Sequence, residues 1–227
     1  MKPDMNWHRL ETADDVALAA YQRIFEEAKS AIAERGQFKL VLAGGTTPEK
    51  VYRLLAQADA DWSRWLIYYG DERCLPANHA ERNNVMAQLA FLSKVAIPEI
   101  QVFTIPAELG NEQAADQYRQ VVKDALPFDL VLLGMGEDGH TASLFPGHQH
   151  NSDELVHAVF NSPKPPPERV SVSAKALGNA RQVIFLITGT NKQEAVKLWR
   201  SGHDLPVASI SSDNIDVYID RDADQGS

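Results

Sequence analysis

Short apolar runs alternate with amphipathic stretches along most of this chain. Residues 38–43, 65–69 and 128–133 are nearly continuous apolar segments, the pattern of strands buried on both faces. Weaker runs at 100–103, 170–173, 183–187 and 215–219 read as further strands. Between them, residues 13–35, 47–57, 83–92, 111–125 and 192–200 carry helical patterns. The first helix has Thr12 to cap it, Asp14 and Asp15 at its positive end, and Gly36 to stop it. In the second, Thr47 is placed to cap and Pro48 to occupy the first turn. Strands alternating with helices predict an α/β fold: a mostly parallel sheet with helices on both faces, a modified Rossmann-like three-layer sandwich. Residues 150–167 hold Pro163 and Pro165, Pro166 and Pro167, which predicts a long connection or a domain edge. The tail, residues 221–227, is expected to fray.

The three strongest strands each stop at a glycine-bearing loop, and the chemistry concentrates there. The first is followed by Gly44, Gly45, Thr46, Thr47 and Pro48. A helix opening on two glycines presents free N–H groups and a positive dipole end, which suits an anion; a well-capped tight turn is the alternative. The second strand leads into Gly70-Asp71-Glu72-Arg73, where Asp71 could handle a proton and Arg73 could grip an anion, or Arg73 could simply pair with Asp71 or Glu72. The third leads into Gly134-Met135-Gly136-Glu137-Asp138-Gly139-His140. His140 can take a proton near neutral pH, and Asp138 could orient its ring or meet a sugar hydroxyl. Ligands of open α/β sheets bind beyond the carboxyl ends of strands, so all three loops sit where a substrate belongs. Glu137 reads as a solvated side chain. Arg169, before a strand, and Lys192, opening a helix, are isolated cations; at a helix start Lys192 opposes the dipole, a term a bound phosphate could offset.

Charge and composition narrow the partners. The net charge of -9 argues against general nucleic-acid binding. No apolar run reaches the ~20 residues a membrane helix needs, and the first 15 residues lack a signal-peptide core. Cys74 is the single cysteine, so no intrachain disulfide forms; a cytoplasmic protein is expected. His148 and His150 have no partner at metal-ligand spacing.

Taken together, LAGGTTP, YYGDERCLP with Glu81-Arg82-Asn83 after it, and GMGEDGHTASLFPG resemble the 6-phosphogluconolactonase family. PPPERVS, ITGTNK and LPVASI extend the resemblance over nearly the whole chain. It implies one domain, residues 1–227, of the glucosamine-6-phosphate isomerase/deaminase-like fold. It implies hydrolysis of 6-phospho-D-glucono-1,5-lactone, a small phosphosugar, with no metal or organic cofactor. His140 matches the general base, and Asp71 and Asp138 match active-site carboxylates. Gly44, Gly45, Thr46 and Asn83 match substrate-loop positions, as does Gly139; Arg73, Arg169 and Lys192 match cations around the phosphosugar. Val207 departs from the family's LPAS form, which puts the local geometry there in question. A deaminase or isomerase would carry a Glu where Phe145 stands. A sugar-phosphate sensor without activity would lack the base.

Overall fold

The computed structural model describes residues 5–225. Nine strands and six helices follow in chain order: β1 (Met5–Leu10), α1 (Ala13–Arg35), β2 (Phe38–Leu42), α2 (Thr46–Leu55), β3 (Trp65–Tyr69), β4 (Asp71–Arg73), α3 (Asn83–Ala90) and α4 (Asn111–Ala125). They continue with β5 (Phe128–Gly134), β6 (Val156–Val159), β7 (Arg169–Val172), α5 (Ala174–Gly178), β8 (Ala180–Ile187), α6 (Gln193–Arg200) and β9 (Ile215–Asp220).

Six strands form one sheet in the order β1-β9-β8-β5-β2-β3, and every pairing in it is parallel. Parallel strands are buried on both faces, which is why β2, β5 and β9 have almost no exposed residue. The steps β1→β2→β3 run one way along the sheet, and β5→β8→β9 run back. Right-handed crossovers then put α1 and α2 on one face and α6 on the other. α1 and α2 pack together, while α4 packs on a small antiparallel sheet, β4-β7-β6, beside the main one. The apolar core runs from Val16 to Ala223 as one cluster. The order in which strands are added along the sheet reverses between β2 and β5, so the switch-point crevice opens beyond their carboxyl ends.

Several local expectations change. An edge strand, β1, precedes the first helix; its alternating half-exposed pattern hid it. Residues 99–101 form a single tight helical turn, and only Val102 bridges to Ile67 in place of a strand. The proline-rich segment includes strand β6. Thr47 does not cap α2. Its hydroxyl bonds the Thr188 hydroxyl at 2.7 Å, and Gly45, at φ 111°, holds the cap position without any side-chain bond. Thr12 caps α1 as expected, in a reciprocal box with Asp15. The tail does not fray through Gln225: Ala223 and Asp224 are buried, and Arg200 and Arg9 both pair with Asp224. Residues 226 and 227 of that expectation lie outside the described ones.

Candidate active site

A cavity of about 250 Å³ lies at the switch point, lined by the ends of β2, β3 and β5 and by the start of β7. Gly44, Gly45, Asp71, Arg73, Asn83, His140, Arg169 and Lys192 all reach its wall. Thr46, Asp138 and Gly139 are not on that wall; Asp138 and Gly139 belong to the turn that holds His140.

The turn after β5 is built around the His140 ring. The Gly136 N–H donates to the His140 carbonyl at 2.8 Å, and the Gly139 N–H to the Gly136 carbonyl at 3.0 Å. A Cβ on Gly136 would stand 2.0 Å from His140 Nδ1 and 2.6 Å from Asp138 Oδ1, so only glycine admits the ring there. Gly139 takes φ 80°, and a Cβ on it would press on Leu205. The Val207 N–H donates to the Gly139 carbonyl at 3.0 Å, and Val207 is fully buried. The departure in LPVASI therefore leaves this segment as a close brace behind the histidine turn.

His140 Nδ1 is 2.5 Å from Asp138 Oδ1. An ionised carboxylate only accepts, so the neutral ring carries its proton on Nδ1 and keeps the Nε2 lone pair free. Burial pushes the His140 pKa below its ordinary 6.5, against the pull of Asp138. Burial raises the Asp138 pKa, but the bond to His140 outweighs this and holds the carboxyl below its usual range. The two groups thus favour a neutral imidazole beside a carboxylate.

Asp71 lines the cavity with both carboxylate oxygens hydrogen-bonded. It is 7% exposed, and Ser143 Oγ donates to one oxygen at 2.6 Å and Asn83 Nδ2 to the other at 3.0 Å. A Cβ on Gly44 would meet Asn83 Oδ1 at 2.1 Å, so the GG loop lies directly on that amide. Asp71 and Asn83 therefore tie together the loops after β2, β3 and β5. Beneath them Glu72, 1% exposed, accepts N–H bonds from Arg73, Asn83 and Asn84 and faces Arg82 at 3.6 Å. Burial pushes its carboxyl up, and those donors hold it back.

Among the described residues Arg73, Arg169 and Lys192 make no ion pair. The expected alternative, Arg73 paired to Asp71 or Glu72, does not occur; Arg73 Nη1 donates to the Glu81 carbonyl, and its Nε is buried without a partner. Arg169, 5% exposed, donates to the carbonyls of Lys164, Pro165 and Pro166. Its guanidinium lies over the Phe145 ring, 5.6 Å from the centroid, while that ring stands 4.7 Å from the His140 ring. Burial lowers the pKa of both Arg169 and Lys192. The uncapped N-terminus of α2 adds its unpaired N–H groups. An acidic chain thus concentrates positive potential in one crevice.

Two lining residues were not legible beforehand. Gly136 belonged to a glycine pattern with no sign of which glycine met the ring. Lys164 lay within a proline-rich run that signals only a connection. Glu137, expected to be solvated, is exposed but pairs with Lys164 at 3.0 Å. Among the described residues no cluster of His, Cys, Asp or Glu is arranged to hold a metal ion, and no helix is long and apolar enough to cross a membrane.

Comparison with known proteins shows the family. Residues 11–219 match the family described as glucosamine-6-phosphate isomerases/6-phosphogluconolactonase. The chain is 36% identical over 212 residues to the chloroplastic 6-phosphogluconolactonase 3 of Arabidopsis thaliana, covering 84% of this chain and 65% of that one. It is 37% identical over 200 residues to the 6-phosphogluconolactonase of Homo sapiens, covering 82% of this chain and 78% of that one. Against the crystal structure of 6-phosphogluconolactonase from Thermotoga maritima the TM-score is 0.89 at 28% identity, over 96% of this chain and all of the other. The chain therefore spans just under two thirds of the length of the plant relative, and it belongs to the glucosamine-6-phosphate isomerase/6-phosphogluconolactonase family.

Proposed function

We propose that this protein is a 6-phosphogluconolactonase, a lactone hydrolase that opens 6-phospho-D-glucono-1,5-lactone to 6-phospho-D-gluconate in the oxidative pentose phosphate pathway. The observation that carries the reading is the Asp138–His140 pair, a neutral imidazole with a free Nε2 in a crevice whose wall carries Arg73, Arg169 and Lys192. His140 Nε2 takes a proton from water as the oxygen attacks C1. Asp138 stabilises the imidazolium that forms, as a carboxylate at Nδ1 does in a triad. The tetrahedral intermediate then expels the ring oxygen, which receives that proton from Nε2. A lactone is an activated ester, so no covalent nucleophile is needed, and a positioned base supplies about 10²–10⁴-fold.

The phosphate lies far from C1 and serves as a handle. Held by Arg73, Arg169, Lys192 and the N–H groups at Gly44, Gly45 and Thr46, it orients the carbonyl over His140. Asp71 and Asn83 act as positioning residues, holding the three loops at fixed separation. Phe145 supports lactone chemistry over deamination. An apolar ring pressed on His140 stands where a deaminase of this family would need a carboxylate for proton transfer. The residues form one domain about one core, and the single Cys74 fits a cytoplasmic enzyme.

The test is a coupled assay. Glucose-6-phosphate dehydrogenase generates the lactone in place, and 6-phosphogluconate is followed above the spontaneous background. Turnover of the lactone, and no ammonia from glucosamine 6-phosphate, is expected. Ammonia release without lactone turnover would replace this reading with the deaminase one.

A further inference from the structure

Lys164 is a fourth cation of the cavity wall, and its surroundings differ from those of the other three. Its backbone is pinned: Ser162 Oγ donates to its carbonyl at 2.8 Å, its N–H donates to that hydroxyl at 3.3 Å, and Arg169 Nη2 donates to the same carbonyl at 3.2 Å. Its ammonium has a single partner, a half-exposed carboxylate. It meets Glu137 Oε1 at 3.0 Å, with 38% of the lysine side chain and 56% of the glutamate exposed. Pairs this exposed are weak, worth about a fewfold in equilibrium constant. Glu137 directly precedes Asp138, so one turn carries both the carboxylate that serves the base and the carboxylate that holds the lysine.

We infer that Lys164 is a substrate-binding residue that Glu137 and the sugar phosphate share in turn: the phosphate draws the ammonium from Glu137 on binding, and Glu137 reclaims it on release. The inference rests on the lactonase reading. The phosphate is the lactone's only charged group, and a dianion outcompetes a single exposed carboxylate for one ammonium. Hydrolysis then creates a second anionic group on the same molecule. A site built of cations alone would hold this product more tightly than its substrate. A tethered carboxylate at the rim opposes that by competing for Lys164 and by repelling the product's charge. Arg73, Arg169 and Lys192, which make no ion pair among the described residues although Glu137 and Asp138 lie near enough to act on Lys192, give the fixed part of the grip; the Lys164–Glu137 pair gives the part that lets go.

The test is calorimetric titration of 6-phosphogluconate into the wild type, Lys164→Met, Glu137→Gln and the double variant, with Lys164→Arg as the conservative control. Lys164→Met is expected to weaken binding about tenfold, the scale of one charge-assisted contact, and Lys164→Arg to restore most of it. Glu137→Gln is expected to tighten binding about two- to fivefold. At least half of that gain should vanish in the Lys164→Met background. Unchanged binding in Lys164→Met, weaker or unchanged binding in Glu137→Gln, or an equal Glu137→Gln gain in both backgrounds would each overturn the assignment. If Lys164→Met is unstable, Lys164→Gln keeps a polar tip and takes its place. The lactone assay on the wild type separates this from the parent reading. Lactone turnover with none of these shifts removes the role of Lys164 alone. The shifts without turnover remove the lactonase reading alone, and no 6-phosphogluconate binding by the wild type overturns both.

Discussion

Arg73 and Arg169 stand directly opposite each other across the antiparallel pair β4 and β7. Like charges facing across a sheet are destabilising; neither guanidinium makes an ion pair among the described residues, and Asp71 and Glu72 offset the repulsion at Arg169 only from a distance. The arrangement makes sense as a seat for an anion that neither residue can supply. Arg73→Met should therefore raise KM for the lactone about tenfold or more. The melting temperature should stay level or rise slightly as the repulsion goes. Parallel kinetics and thermal melts check this; a large loss of stability with unchanged KM would make Arg73 a structural residue.

Gly136→Ala tests the packing around the base. Its Cβ would meet the His140 ring at 2.0 Å, a ring that also packs against Phe145. Since Gly136 has no positive φ, alanine adds this clash without backbone strain. The ring must move, and displacements of about 1 Å can cost ~10²-fold in rate. Turnover should fall on that scale while the circular dichroism spectrum stays native.

The pH profile follows from the direction of the His140 shift. A base works only when neutral, so kcat/KM should rise as pH passes upward through the His140 pKa and then level off. Burial places that limb below the ordinary 6.5. Asp138→Asn removes the carboxylate that pulls the pKa up. The limb should move to lower pH still, and the plateau should fall by about 10²–10⁴ because the imidazolium loses its partner. Initial rates across pH 4–8, corrected for spontaneous hydrolysis, decide this. A limb that moves upward would contradict the role of Asp138 as the carboxylate that raises the His140 pKa.

Stability should also fall in acid, through a second histidine. His150 stacks on His157 with ring centroids 4.4 Å apart, and burial with the neighbouring imidazoles lowers its pKa to about 4. The unfolded chain takes up that proton near 6.5, the folded protein only near 4. Between those values the unfolded state binds more protons, so stability is full above 6.5 and drains as pH falls toward 4. His150→Gln should flatten the urea-midpoint curve over this window. An unchanged slope would assign the acid sensitivity to other groups.

How much of this was legible beforehand depended on where each residue sits relative to a strand. The loops around Gly44, Asp71 and His140 could be read because each directly follows an uninterrupted apolar run, and a parallel sheet puts such ends together. β1 was not legible. As an edge strand it alternates half-exposed and exposed residues, with His8 and Arg9 where a central strand would be apolar. Thr47 had the sequence of a cap, but a hydroxyl on a neighbouring strand end competed for it. The hydrogen bonds that Asp71 accepts from Ser143 and Asn83 were not legible, because those partners lie far away in sequence. Lys164 came to the site through a fold-back of the proline-rich segment, which no local pattern specifies.

The central claim is that His140 activates water. Single-turnover hydrolysis of 6-phosphogluconolactone by His140→Ala, with spontaneous opening subtracted, tests it most directly. The variant should still bind 6-phosphogluconate, since the cations remain, while its rate drops by about 10²–10⁴. A rate close to wild type would show that water is activated elsewhere in the crevice.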